Sequence, residues 1–268
     1  MRPSLPPLGL AACAAFVASC ASTTDSASGS PDRPAPAAAA SVPVVLDRDF
    51  DVEIAPDVTL DLVWVAELGA FMGRTEVTWE QFLPYCAFDD PTPGVDGVSR
   101  PSKPLETHPF DRGWGLGEHP AVGMSWNSAK LYCDWLCERT GRTFRLPSEA
   151  EWRIACGDEH PDVAAEAWTA ADGARGTADA GTKLPNQHGL HDMLGSLAEY
   201  VAGPDGSEPA PLASMGGSFM TPISEVGPDA RLEFDYDWTL EDSNWPPGRW
   251  WIPGGDQLGF RVLCEDTP

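Results

Sequence analysis

Positive charge is scarce in this chain. Its 17 Lys and Arg stand against 41 Asp and Glu, a formal net charge of -24 over 268 residues. A surface of that sign repels phosphate backbones and anionic lipid headgroups and attracts cations, which argues against a nucleic-acid partner. A long apolar run is missing too. The opening run from Leu8 to Ala18 falls far short of the ~20 residues that a membrane-spanning helix requires. His108, His119, His160, His188 and His191 fall into neither HxxxH nor HExxH spacing. There is no Ser-His-Asp signature, P-loop, dinucleotide fingerprint or internal repeat, which removes the common hydrolase, nucleotide-binding and solenoid readings. Between Cys156 and Cys264 there is no cysteine at all.

What is present suits one globular domain. Apolar residues make up 42%, enough for a core, and 26 Gly with 27 Pro imply many loops between short elements. At the start, Arg2 precedes the apolar run as in a signal peptide. Val17-Ala18-Ser19-Cys20 then resembles the lipobox of bacterial lipoproteins, which are cleaved before a cysteine that carries the lipid. An ordinary secretory signal cut elsewhere is the alternative. We therefore expect a signal peptide over 1–19, a Ser/Pro/Ala tether over 20–45 and a folded domain over 46–268. The protein would face the periplasm or exterior of a bacterial cell envelope and touch the membrane only through lipid on Cys20. Five cysteines remain in the body. In an oxidising compartment some should pair, and an odd number leaves at least one free.

Along the body, the alternation over 58–65 predicts a strand, and Thr75-Glu76-Val77 reads as a short second one. Thr78 and Gln81 form a capping-box pair at the head of a helix. Residues 90–118 read as a long loop. Ser125 opens the best helix, which Gly141 ends, and Ser148 with Glu151 caps another that stops at Gly157. No helix is expected beyond that point, and Leu258–Leu263 reads as a closing strand. The mixture is α+β with much irregular structure.

Four stretches together resemble the formylglycine-generating enzyme family, the sulfatase-modifying factors. They are HPAVGMSWNSAKLYCDWL, FRLPSEAEWRIAC, PNQHGLHDMLGSLAEY, and GGSF with a closing GFRV. The likeness runs from Val58 to Val262. It implies a single domain in the formylglycine-generating variant of the C-type lectin-like fold, with long irregular loops. Enzymes of the family oxidise a sulfatase cysteine to formylglycine with molecular oxygen and copper held by two cysteines. In this sequence those two places are Thr221 and Val226. Cu(I) is soft and prefers sulfur, so copper is not expected. Ala198 replaces a family aromatic, and the N-terminal hairpin is shortened.

Other family features persist. GLHDMLGSLAE matches a calcium site in which Asp192 and Glu199 give side chains and Gly195 and Leu197 give carbonyls. Calcium accepts such a mixed oxygen set, and Ser196 replaces the family asparagine beside it. Read without the family, these are two surface acids beside a turn. The resemblance also implies a disulfide between Cys133 and Cys264, although the family cysteine follows GFR directly and this one sits two residues later. His191 could be a ligand, against the plainer reading of a loop histidine meeting a backbone group. Some distant relatives hold non-haem iron on histidines of an added helical domain, and no such domain is expected from these residues. The groove candidates are Ser218, Thr221, Arg231, Glu233, Trp245, Trp250 and Trp251. The tryptophans of this region, Trp238 among them, could instead fill the core beneath the loops.

The first functional reading is a calcium-stabilised binding or accessory module without the oxidase chemistry, for a peptide, protein or glycan ligand. The alternative is an enzyme of this fold that uses another metal or a substrate-borne cofactor in the same groove.

Overall fold

The structure is a computed structural model and describes residues 48–86, 111–173, 175–209, 213–240, 248 and 250–266. Cys20, Trp245 and most of the 90–118 loop lie outside the described residues.

Strand β1 (Phe50–Ala55) pairs antiparallel with β2 (Val58–Val65), the strand read from alternation, and β2 pairs with β3 (Ala70–Gly73). The strand expected at Thr75-Glu76-Val77 is thus placed earlier. Residues 70–73 take the sheet positions, and Val77 N donates to Phe260 O outside any strand. Helix α1 (Trp79–Cys86) follows, with the expected capping pair: Thr78 N donates to Gln81 Oε1 at 3.0 Å and Gln81 N to Thr78 Oγ1 at 3.4 Å. Helix α2 (Trp126–Thr140) starts where the Ser125 hydroxyl accepts from Ser128 N. It ends at Gly141, whose φ of 72° is the left-handed region that glycine enters at least cost. Strand β4 (Phe144–Arg145) leads to α3 (Glu149–Cys156), which has both arms of the Ser148–Glu151 capping box.

Beyond Gly157 the described residues are mostly loop, but one four-residue helix, α4 (Val163–Glu166), stands where none was expected, capped by Asp162, together with two short 3-10 turns. Strands β5 (Ala198–Tyr200), β6 (Ala213–Met215) and β7 (Arg231–Glu233) then form a second sheet with β8 (Leu258–Gly259). The expected closing strand is split. Strand β8 pairs parallel with β5, whereas β9 (Leu263–Glu265) sits between β3 and β4 in the first sheet. Residues 260–262 cross from one sheet to the other, and this crossing puts Arg261 between them. In the core cluster, Phe82, Tyr132 and Phe260 pack with ring centroids 5.4–6.0 Å apart. Among the described residues no helix is long and apolar enough to cross a membrane.

Candidate functional site

Arg261 is 0% exposed and organises the interior. Its Nε donates to both oxygens of Glu199 (2.9 and 2.7 Å), and a terminal nitrogen reaches Glu199 Oε1 at 2.5 Å. The other donors bind the carbonyls of Gly73 (3.1 Å) and His191 (2.9 Å). Trp152 Nε1 donates to Glu199 Oε2 at 2.8 Å, so α3 is tied to the second sheet through the same carboxylate. Planar, bidentate pairing of this kind is what arginine provides and lysine does not.

Two more buried carboxylates flank this pair. Glu76 accepts from Leu197 N through Oε1, while its Oε2 has no partner. Asp192 accepts from Gly181 N through Oδ2 at 2.6 Å, while its Oδ1 has no partner. Burial, then the neighbouring Asp192 and Glu199 carboxylates, push the Glu76 carboxyl well above its usual range; Arg261 and the Ser196 hydroxyl pull the other way. Burial also raises Asp192, against the Gly181 amide and Arg261. Burial works against the charge on Arg261, but Glu199 outweighs it and the guanidinium is held more firmly protonated. Three buried carboxylates therefore surround one guanidinium, and two of their oxygens meet no donor among the described residues. That arrangement costs free energy unless protons or a further cation complete it.

The backbone around these acids is shaped for close approach. Asp192, Gly195 and Ser196 take φ of 55°, 72° and 50°. A Cβ on Gly195 would lie 2.0 Å from Trp168 O, so only glycine fits. The stretch expected to hold calcium is thus neither at the surface nor a simple turn. Asp192 and Glu199 are 2% and 1% exposed. Glu76, which sequence reading left unassigned, is brought to the same place, and both Glu199 oxygens face Arg261. Among the described residues no three His, Cys, Asp or Glu side chains are arranged to hold a metal by themselves. The set implied by the resemblance takes two of its ligands from carbonyls. The orphaned Glu76 Oε2 and Asp192 Oδ1 fit a hard cation in both charge and chemistry.

The loop at 216–226 leans on this centre. Phe219 N donates to Ser196 O at 2.8 Å. Within the loop, Thr221 N donates to Ser218 O at 2.8 Å and Ser218 N to Thr221 Oγ1 at 2.9 Å, a closed turn. Ser218 Oγ donates to Gln257 Oε1 at 2.7 Å. The Thr221 oxygen is therefore spent on holding the loop. Val226 is half-buried and packs against the core that contains Trp152 and Met215. Neither position offers sulfur, so the residues here do not fit a Cu(I) site.

Of the remaining groove candidates among the described residues, Arg231 pairs with Met215 at the head of that loop, whereas the two tryptophans lie in the core. Trp250 and Trp251 are 1% and 6% exposed and belong to the core, where the Trp251 ring meets Phe82 of α1 edge-on at 6.1 Å. Arg231 turns to an ion pair with Glu149 of α3, and Glu233 is exposed on β7. The expected Cys133–Cys264 disulfide is absent, and all five body cysteines are free thiols. The thiol that reaches β4 belongs to Cys137, one turn further along α2. Its sulfur contacts Phe144 N and O at 3.1 and 3.3 Å, and Phe144 lies opposite Cys264 in the sheet. His191 meets a backbone group, with Nδ1 2.8 Å from Lys183 O.

Comparison with known proteins agrees with this architecture. The sulfatase-modifying factor enzyme 1-like domain matches residues 63–240, well over half of the chain. The formylglycine-generating enzyme of Bos taurus is 29% identical over 111 residues, 32% of this chain and 27% of that protein. The serine/threonine-protein kinase pkn1 of Chlamydia pneumoniae is 34% identical over 97 residues, 32% of this chain and 14% of that protein. A Bos taurus protein named inactive C-alpha-formylglycine-generating enzyme 2 is 30% identical over 105 residues, 32% of this chain and 33% of its own. These matches span a third or less of each relative. Among solved structures, Treponema denticola variable protein 1 superposes with a TM-score of 0.56 at 17% identity, over 82% of this chain and all of the other. At that identity the likeness is one of fold. The chain belongs to the sulfatase-modifying factor, or formylglycine-generating enzyme, family.

Proposed function

We propose that this protein is a calcium-stabilised binding or accessory module of its family that has given up the copper-dependent oxidase chemistry, held at a bacterial cell envelope by lipid on Cys20. One observation carries the reading. At the first of the two places where the family chemistry needs thiolates, the Thr221 oxygen accepts from Ser218 N and closes a turn; at the second stands the aliphatic Val226. A relative named as inactive supports a non-catalytic role, and the printed names of the relatives leave the ligand open.

Calcium supplies positive charge to an interior that is short of it. Asp192 and Glu199, the carbonyls of Gly195 and Leu197, and Glu76 would hold it. Glu199 then divides its charge between the ion and Arg261, and Trp152 fixes its orientation. The ligand would be a peptide, protein or glycan, taken up by the loop framework rather than transformed.

Metal analysis of the purified full-length protein tests this. Calcium close to one per chain, with neither copper nor iron, is the expected result. Stoichiometric copper would overturn the reading, and stoichiometric iron would favour an enzyme using a different metal.

A further inference from the structure

A cavity of about 380 Å³ opens between α2, β4, the start of α3 and the turn at residues 203–206, within the size range of small-ligand sites. It is separate from the loop at 216–226 and stands whether or not the calcium reading holds. Its floor is apolar. Trp126, Phe144 and Leu146 line it and are 5%, 3% and 3% exposed. The indole N–H of Trp126 is already donated to Val201 O at 2.8 Å, so the ring enters the cavity wall as an apolar surface.

The rim is charged and its charges do not cancel. Lys130 is paired with Asp134 at 2.5 Å. Arg145 is held by both oxygens of Glu151, at 2.8 and 2.6 Å, and by Glu265 at 3.0 Å, so one guanidinium faces two carboxylates. Asp205 is exposed at the cavity mouth; its carboxylate accepts from the Ser207 amide at 3.1 Å and hydroxyl at 2.6 Å, and it pairs with no cation among the described residues. A new anion would find both rim cations occupied. A cation would find Asp205 without a cationic partner among the described residues, in a cavity whose lining also includes the aromatic rings of Trp126 and Phe144.

We propose that this cavity binds an ammonium group carried on a short apolar or aromatic arm. Two sources share that chemistry, a free aryl-alkyl amine and a lysine side chain in a peptide.

Isothermal titration of the full-length protein with 2-phenylethylamine tests it, with 3-phenylpropionate as the same body of opposite charge. The amine is expected to bind one per chain and the acid at least tenfold more weakly. Asp205→Asn, at an exposed turn, should weaken the amine about fivefold or more while leaving melting unchanged. Ala202 also lines the cavity and is buried, so Ala202→Met, which fills it, should abolish binding of amine and peptide alike. Acetyl-Phe-Lys-amide distinguishes the sources: tighter binding than the amine assigns a peptide side chain, and weaker binding assigns a free amine. No binding of either probe at 10 mM would overturn the proposal. So would equal binding of the acid, or an Asp205→Asn protein that binds as wild type.

Discussion

Replacing Glu76 by Gln should stabilise the calcium-free protein. The native carboxylate is 0% exposed, receives one amide at Oε1 and leaves Oε2 without a donor beside Asp192 and Glu199. Glutamine keeps the acceptor for Leu197 N, cannot ionise beside Asp192 and Glu199, and puts an NH₂ donor in place of one carboxylate oxygen. Relieving one unsatisfied buried group is worth about 1–3 kcal/mol. For a domain of this size that corresponds to a rise of about 2–12 °C in Tm. The pH dependence gives a second handle. A carboxyl whose folded pKa is raised contributes stability that is full below its unfolded value near 4.5 and is lost as pH rises through the folded value. In EDTA, wild type should therefore lose stability as pH rises above about 4.5, and Glu76→Gln should flatten that loss. With calcium, wild type should gain stability as RT ln(1 + [Ca]/Kd), and the variant should gain much less. Calorimetry in EDTA and in millimolar calcium, across pH, reads all three. A Glu76→Gln protein that melts below wild type in EDTA would refute the reasoning, because the carboxylate would then be compensated.

Further outcomes follow from other residues. Gly195→Ala should cost about 2–6 kcal/mol, since strain at φ 72° adds to a Cβ placed 2.0 Å from Trp168 O; unchanged urea unfolding would contradict it. Glu151→Gln should destabilise by about 1 kcal/mol at neutral pH, through the capping box and a partly exposed pair with Arg145. The Glu151 carboxyl is held down to about 2 by Arg145, so this difference should be full above about pH 4.5 and vanish as pH falls towards 2. Mass spectrometry of the mature N-terminus should find lipid on Cys20, and an unmodified secreted chain would count against the anchor.

The parts of the fold that the sequence made legible are those decided locally. Ser125, Ser148 and Gly141 fix helix ends by hydrogen bonds within three or four residues, so spacing alone exposed α2 and α3. Ala70–Gly73 is buried throughout and shows no alternation, so its strand is not legible, whereas Thr75-Glu76-Val77 looks like a strand but makes only single backbone bonds at Val77, to Phe260 and Ala121, and no ladder. The central cluster was only half visible. Asp192 and Glu199 lie in one motif, but Glu76 and Arg261 meet them across separations of more than 60 residues, which no periodicity reports. Trp250 and Trp251 carry the composition of a binding rim, and only packing shows that they are covered. The thiol pairing failed for a related reason. The two-residue offset of Cys264 puts it opposite Phe144, whose backbone is met by Cys137.

The central claim is that the family fold persists here without the family oxidation. Incubating the purified protein with copper, oxygen and a cysteine-bearing sulfatase peptide, then weighing the peptide by mass spectrometry, tests it most directly. With Thr221 and Val226 at the thiolate places, the peptide should keep its mass, while a copper-loaded formylglycine-generating enzyme converts it in parallel. Conversion of the cysteine by this protein would contradict the account.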